Sequence, residues 1–144
     1  MMGRSIKRRA AMAELPAIYL TQDDMDRLLE LIEAYPGQRF EQLERELLRA
    51  KVVPRGQIPK DVVTMNSRVL FENEGTGERR EITLTYPGNA DFEAGRISVL
   101  VPIGTALLGL RVGQSIAWQL PGGTKQRYRV IGVPYQPEAA GDAS

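Results

Sequence analysis

The chain contains no cysteine and no histidine among its 144 residues. Without thiol or imidazole groups it can form no disulfide and no zinc finger, and no histidine can serve as a general base. Any catalysis would depend on Asp, Glu, Lys, Tyr or Ser side chains. We therefore predict a protein that is not an enzyme, with no catalytic residue, no cofactor and no metal site.

The sequence also lacks a long apolar run. No stretch is long enough to span a bilayer, and the N-terminus has four bases without the apolar segment of a signal peptide. These bases are Arg4, Lys7, Arg8 and Arg9. We expect a cytoplasmic protein with no membrane partner, in which residues 1–17 form a flexible basic N-terminus.

A large excess of charge of one sign is missing as well. The 19 Lys and Arg residues nearly balance the 18 Asp and Glu residues, so that the formal net charge is only +1. Dedicated nucleic-acid binders usually have a strong basic excess. We therefore expect no strong, sequence-specific binding of nucleic acid.

Two amphipathic helices are predicted after the N-terminus. Thr21 and Asp24 have the spacing of a capping box, and apolar residues recur at helical spacing until Pro36 and Gly37. A second helix is expected over residues 39–51. Its inner face comprises Phe40, Leu43, Leu47 and Ala50. The short connection predicts an antiparallel helical hairpin, a short coiled coil, within residues 18–52.

The predicted hairpin carries more acids than bases. The acids are Asp23, Asp24, Asp26, Glu30, Glu33, Glu41, Glu44 and Glu46. The bases are Arg27, Arg39, Arg45, Arg49 and Lys51. Such an arm could suit a basic channel in a partner, but a merely soluble amphipathic hairpin would have the same composition.

The periodicity changes after a linker rich in Pro and Gly at residues 53–60. In residues 61–136, apolar and polar residues alternate in short runs, which is typical of strands. The first run places Val63, Met65, Val69 and Phe71 on one side. We predict an antiparallel sheet of roughly four to six strands, covered by one short helix at residues 105–108. The fold class is α+β, and the small polar tail at residues 137–144 is expected to be flexible.

Residues 102–113 have the pattern P-I-G-x-A-L-L-G-x-x-x-G, in which an apolar helical turn lies between glycines. This pattern resembles the C-terminal domain of the Gre transcript-cleavage factors. The stretches DVVTMNSRV at residues 61–69 and YQPEAAGD at residues 135–142 resemble the Rnk branch of that family. Members of this branch are regulators of nucleoside diphosphate kinase with a shorter arm than the Gre factors.

The resemblance implies an FKBP-like C-terminal domain with RNA polymerase as the partner. It also implies that Pro102, Ile103 and Gly104 contact the polymerase near its secondary channel, in competition with Gre factors. In Gre factors this loop usually follows Asp-Ser, whereas Leu100 and Val101 precede it here. The purely structural alternative is that the glycines only let the short helix begin and end.

The tip of the predicted hairpin differs from that of a cleavage factor. Gre factors hold a catalytic magnesium with paired acids at the tip of a long coiled coil. Here Glu33 lacks a paired acid, Tyr35 follows it, and Arg39 would oppose a metal. The first helix would also be only about 20 Å long at roughly 1.5 Å per residue. We therefore predict a regulator without transcript-cleavage activity. The alternatives are a true cleavage factor and an FKBP-like prolyl isomerase.

Two further sets of residues have a structural and a functional interpretation. Trp118 alternates with Ile116 and is expected in the core. The few aromatic residues are scattered among strands, which makes an isomerase pocket unexpected. Five bases on predicted strands could form a basic face or simply protect sheet edges. They are Arg68, Arg79, Lys125, Arg127 and Arg129.

Overall fold

The computed structural model describes residues 18–37, 40–119 and 124–142. Within these ranges the α-helices are α1 (Gln22–Glu33), α2 (Glu41–Leu48), α3 (Pro102–Leu107) and α4 (Pro137–Ala140). The strands are β1 (Tyr19–Leu20), β2 (Lys51–Val52), β3 (Arg68–Asn73), β4 (Arg79–Thr85), β5 (Arg96–Ser98), β6 (Ser115–Gln119) and β7 (Lys125–Tyr135). Short 3₁₀ helices lie at Arg55–Gln57, Pro87–Asn89 and Phe92–Ala94.

Helix α1 begins as the sequence predicts. The Thr21 hydroxyl accepts a hydrogen bond from the Asp24 backbone N–H at 3.2 Å, which satisfies one of the free donors of the first turn. Helix α2 ends earlier than predicted. Lys51, the predicted last residue of this helix, instead forms β2 with Val52, and β2 pairs in parallel with β1.

The main sheet has five strands in the order β5-β4-β3-β7-β6. The pairs β3–β4, β3–β7 and β6–β7 are antiparallel, as predicted. The prediction of a wholly antiparallel sheet is wrong at one edge, since β5 runs parallel to β4. The chain between these strands contains the 3₁₀ turns at Pro87–Asn89 and Phe92–Ala94, which return it to the same end of the sheet.

Residues 61–67 are not the strand that their alternation predicts. The main-sheet strand begins only at Arg68, and Asn66 has a left-handed φ of 68° that interrupts an extended chain. Alternation would place Thr64 on the opposite side from Val63 and Met65, but all three residues are buried. A turn in which the Ser67 N–H bonds to the Thr64 carbonyl explains how neighbouring residues become buried together.

One hydrophobic core joins the helices to the sheet. Leu28 of α1 and Leu43 and Leu47 of α2 belong to the same buried cluster as Val69 of β3 and Leu84 of β4. The architecture is therefore α+β with a shared core, whereas the antiparallel hairpin and the FKBP likeness stay predictions. No helix in the described ranges is long and apolar enough to cross a membrane.

The end of the chain differs from the flexible tail that was predicted. Pro137–Ala140 forms α4, in which Pro137 and Glu138 are buried. The Gln136 amide donates to the carbonyls of Pro59 and Val62 at 2.7 and 2.8 Å. The polar composition of this tail was an unreliable sign of disorder, because Glu138 accepts a hydrogen bond from the Thr64 hydroxyl and the Asp142 carbonyl accepts one from Arg55.

Candidate partner-binding surface

The predicted contact loop at Pro102, Ile103 and Gly104 forms the first turn of α3. Pro102 occupies a position at the helix start where its missing N–H costs nothing. A Cβ added at Gly104 would lie 2.1 Å from the Ser98 carbonyl oxygen, so any larger residue would collide with the backbone. The loop is thus held against β5, and this close approach explains why glycine stands at position 104.

Thr105 fixes the same loop from inside. Its hydroxyl donates to the Val99 carbonyl at 2.5 Å, and its N–H donates to the Val101 carbonyl at 3.0 Å. Val101 remains 43% exposed, and Ile103 is half-buried. The result is a rigid turn that presents apolar side chains at the surface, which is suitable for contact with a partner.

A concavity of about 360 Å³ opens beside this loop and contains aromatic side chains. Phe71 and Tyr128 meet edge to face with ring centroids 5.5 Å apart, and Phe92 is 76% exposed. The lining also includes Ile103 and Arg80. This cluster was not predicted, because its aromatic residues come from separate parts of the chain.

The residues at the tip of the predicted hairpin lie at the end of α1 and just after it. Glu33 is the last residue of α1 and is exposed. Tyr35 is 38% exposed and meets the Phe40 ring edge to face at 6.0 Å between centroids. Arg39 lies outside the described residues. In the part of the chain that the structure describes, no three Asp, Glu, His or Cys residues are grouped so that they could hold a metal ion.

A buried acid connects α1 to the sheet. Asp24 is 0% exposed, and its Oδ1 accepts a hydrogen bond from the Tyr86 hydroxyl at 2.6 Å. The guanidinium of Arg27 lies 4.1 Å from the centroid of the Tyr86 ring. The helical part is thereby attached to the sheet domain by a hydrogen bond as well as by apolar packing.

A second buried acid, Glu138, attaches α4 to the turn at residues 64–67. The Thr64 hydroxyl donates to Glu138 Oε1 at 2.7 Å. Because its proton is used there, the Ser67 hydroxyl must donate to Thr64 Oγ1 at 2.8 Å, and Ser67 Oγ accepts from the Thr64 N–H at 3.0 Å. The polar groups of the turn at residues 64–67 thus hold the carboxyl group of α4.

Asp24 and Glu138 interact electrostatically. Burial raises the pKa of Asp24 above its ordinary value of 3.8, and the charge of Glu138 raises it further. The Tyr86 hydrogen bond and the charges of Arg27 and Arg55 oppose this rise. Asp24 Oδ2 and Glu138 Oε2 are buried without a hydrogen-bond partner among the described residues. Protonation of Asp24 therefore removes both the free-energy cost of burying its negative charge and the repulsion between that charge and Glu138.

Four of the five strand bases pair with acids instead of standing alone as a basic face. Arg68 lies 3.8 Å from Glu81, and Arg79 lies 3.2 Å from Glu72. Arg127 and Arg129 both approach Glu74, at 3.7 and 3.6 Å. A hydrogen bond from Ser115 and the charges of these two arginines lower the pKa of Glu74. This pairing favours the interpretation as charged strand surface. The core prediction for Trp118 stays untested, because its side chain is outside the described part.

Comparison with known proteins gives two adjoining family matches. Residues 58–135 match the C-terminal domain of the transcription elongation factors GreA and GreB. Residues 16–53 match the Rnk N-terminus. The first match covers more than half of the chain and includes the contact loop. The chain belongs to the GreA/GreB family.

Individual relatives agree with this assignment. The Regulator of nucleoside diphosphate kinase of Escherichia coli K12 is 47% identical over 130 residues, which cover 88% of this chain and 96% of that protein. The transcription elongation factor GreA of Thermotoga neapolitana is 35% identical over 67% of this chain and 61% of its own length. A GreA/GreB elongation factor structure from Nitrosomonas europaea is 43% identical with a TM-score of 0.74, covering 83% of this chain and 99% of that one.

The two family models match different parts of the chain, the Rnk N-terminus at residues 16–53 and the GreA/GreB C-terminal domain at residues 58–135. The member of the family described here combines an Rnk-type N-terminus with a GreA/GreB-type C-terminal domain. The E. coli relative matches nearly end to end, whereas the Thermotoga elongation factor extends well beyond the matched region. The relatives are named as regulators and elongation factors, which indicates a Gre-related transcription factor.

Proposed function

We propose that this protein binds RNA polymerase near its secondary channel, through Pro102, Ile103 and Gly104, and regulates transcription in the cytoplasm. In this role it excludes Gre factors from the same enzyme and does not stimulate transcript cleavage. The observation that carries the proposal is the GreA/GreB match over residues 58–135, which contains this loop. The loop geometry supports it, because Val101 and Ile103 are presented from a backbone fixed by Gly104 and Thr105.

The helical arm, which comprises α1 and α2, supports the second half of the proposal. With 12 residues, α1 is only about 18 Å long at roughly 1.5 Å per residue. Glu33 at its end is exposed and has no second acid between residues 34 and 37. A single carboxylate is a weak ligand for Mg²⁺, which retains most of its waters. The tip residues Glu33 and Tyr35 are therefore assigned to partner contact and not to metal chemistry.

The link to nucleoside diphosphate kinase comes from the name of the E. coli relative. We assign any influence of this chain on the kinase to transcription.

The proposal is tested by binding to core RNA polymerase with a matched pair of variants. Val101 and Val112 are 43% and 42% exposed, but only Val101 adjoins the contact loop. Val101→Lys should weaken binding about tenfold or more, as the loss of a contact in the centre of an interface does. Val112→Lys should leave the affinity within about twofold, since surface substitutions usually have small effects.

Competition is measured in the same experiment. Increasing amounts of a GreA protein should displace this chain from the polymerase without forming a ternary complex. Stable simultaneous binding would refute the competition model. Equal affinities of the Val101→Lys and Val112→Lys variants would refute the assigned contact.

A prolyl isomerase is the second candidate, and only the aromatic concavity favours it. Phe71, Tyr128 and Phe92 line a space large enough for a small side chain, although Glu78 and Arg80 line it as well. A protease-coupled assay with a proline-containing peptide separates this candidate from the first. We expect no acceleration of isomerisation by the protein. An acceleration that Phe92→Ala removes would support the isomerase.

A further inference from the structure

An apolar groove lies between α1 and α2, and none of the residues that line it is assigned to polymerase contact. It encloses about 370 Å³. Its lining consists of Met25, Leu29, Ile32, Glu44, Leu47 and Leu48. Leu47 is only 6% exposed and belongs to the core, whereas Leu48 is 87% exposed and Leu29 is 46% exposed. The fold requires Leu47, but it does not require a large apolar residue at 48, where a polar side chain would serve equally well.

The surroundings of the groove are acidic. Together α1 and α2 contain eight acids and two bases; one of these acids, Asp24, is buried, and Glu46 pairs with Arg49 directly after α2. Asp26 and Glu33 are placed three residues before and four residues after Leu29, and both are exposed. Glu41 and Glu44 precede Leu48 by seven and four residues and are also exposed. One of the two bases, Arg27, lies over the Tyr86 ring.

The walls of the groove determine the backbone form of an occupant. Both walls are helices, whose backbone hydrogen bonds are made internally, so the groove offers no sheet edge to an extended peptide. An occupant must satisfy its own backbone groups, and a helix does so. Met25 and Ile32 are seven residues apart, about 10 Å along α1 at roughly 1.5 Å per residue. That length matches two turns of a second helix.

We propose that this groove is a docking site for an amphipathic helix of another protein, with large apolar side chains along one face and Lys or Arg beside them. The apolar stripe fills the space between Leu29, Leu47 and Leu48, and the bases face the acids of both helices. This site is distinct from the proposed contact at residues 102–104, because it lies on the helical arm and involves neither Val101 nor Ile103. Of the tip residues assigned to partner contact, only Glu33 borders it.

The probe is a synthetic 18-residue helix with a leucine stripe flanked by lysines. Two control peptides have the same composition in scrambled order or glutamate in place of lysine. Binding to the full-length protein is measured by fluorescence anisotropy at low and high salt. We expect the first peptide to bind most tightly, and the glutamate peptide to show no binding. Added salt should weaken the complex, because screening reduces attraction between exposed charges.

Matched variants locate the peptide. Leu48→Glu should reduce its affinity about tenfold or more, as removal of a central apolar contact does, and Glu44→Lys should reduce it several-fold, mainly at low salt. Phe92→Glu changes another highly exposed apolar residue, 76% exposed, and should leave affinity within about twofold. Because Leu48 and Phe92 are both exposed, neither variant should change the melting curve.

Other occupants give distinct results. A dimer in sedimentation velocity that Leu48→Glu dissociates would show that a second copy covers the groove, and would overturn the proposal. A rise in peptide affinity after Arg4, Lys7, Arg8 and Arg9 are all changed to Ser would overturn it in favour of the chain's own N-terminus. Equal binding of the ordered and scrambled peptides, or equal losses in Leu48→Glu and Phe92→Glu, would overturn it as well.

Discussion

At the scale of single residues, Gly104 has no tolerated substitute. Gly104→Ala should destabilise the protein by roughly 2 to 4 kcal/mol, because the new Cβ would lie 2.1 Å from the Ser98 carbonyl oxygen and the backbone would have to move. Gly56 is the matched control, since a Cβ there has no atom within 4 Å. Urea denaturation should show a near-neutral Gly56→Ala. Equal effects of the two substitutions would contradict the close packing of α3 against β5.

Asp24 makes stability depend on pH in a direction that its environment determines. Its pKa in the folded protein lies above the ordinary value of 3.8, mainly because the carboxyl group is buried. Between these two pKa values the folded state binds more protons than the unfolded state, so the contribution of Asp24 to stability falls as pH rises. That contribution is fully present only below the unfolded pKa.

The variant Asp24→Asn removes this titration while an amide oxygen still accepts the Tyr86 hydroxyl. We expect the free energy of unfolding of Asp24→Asn, relative to the wild-type protein, to increase between pH 4 and pH 7. Urea denaturation across this range measures it. Asp23→Asn, at an exposed position in the same turn, is the control and should follow the wild-type profile. A constant difference between Asp24→Asn and wild type would contradict the raised pKa.

At the scale of elements, local patterns predicted what local interactions determine. The Thr21 cap and the alternation of Val69 and Phe71 appear in the structure as expected. Residues 61–67 were predicted incorrectly, because a period of two in hydrophobicity does not separate a half-buried strand from a turn whose polar groups bond to one another. Thr64 is buried beside Val63 only because its hydroxyl has partners in Ser67 and Glu138.

In the candidate site as well, features formed by residues close together in sequence could be predicted, and features formed by distant residues could not. The loop at residues 102–104 could be singled out because the residues that carry its resemblance to the Gre C-terminal domain lie close together in sequence, and the contact that this resemblance implies stays a prediction. The bonds of Asp24 to Tyr86 and of Thr64 to Glu138 span 62 and 74 residues. No short-range pattern pairs such residues, so both acids looked like ordinary helix-start or tail residues. The aromatic concavity was missed for the same reason.

Helix α4 should contribute to stability although its sequence suggested a flexible tail. A chain that ends at Gln136 loses the Glu138 carboxyl group and the hydrogen bond from the Arg55 guanidinium to the Asp142 carbonyl. Thr64 is then left with a buried hydroxyl that has one partner fewer. We expect a loss of about 1 to 3 kcal/mol, the usual cost of an unsatisfied buried polar group. Thermal or urea unfolding measures it.

The control for this truncation is a chain that ends at Asp142. It retains α4 and should unfold like the full-length protein. An unchanged stability of the shorter chain would show that the Glu138 and Asp142 contacts contribute nothing.

Glu138→Gln separately tests the electrostatic repulsion between Glu138 and Asp24. The amide oxygen of glutamine can still accept a hydrogen bond from Thr64, whereas the repulsion of Asp24 disappears.

At the scale of the whole molecule, the shared core determines how function can be dissected. Leu28 and Leu43 of the arm pack in the same cluster as the sheet residues. Ile18 lies directly against Gly109, where an added Cβ would be 1.8 Å from the Ile18 Cγ2 atom. Deleting the arm would therefore expose the core of the sheet. Surface substitutions such as Val101→Lys and Leu48→Glu separate the two proposed surfaces without this damage.

The same architecture leads to a prediction about chemistry. Backtracked transcription complexes with saturating protein should show no increase in RNA cleavage, because α1 is about 18 Å long at roughly 1.5 Å per residue and ends in the single acid Glu33. Ala34→Asp supplies a second carboxylate beside Glu33 but leaves the length of the arm unchanged, so it should also be inactive. A GreA protein is the positive control in the same gel assay. Cleavage by the unmodified chain that Glu33→Ala abolishes would refute the non-catalytic role. If the Ala34→Asp variant cleaves RNA and the unmodified protein does not, then the unmodified protein is inactive because it lacks a second acid and not because its arm is too short.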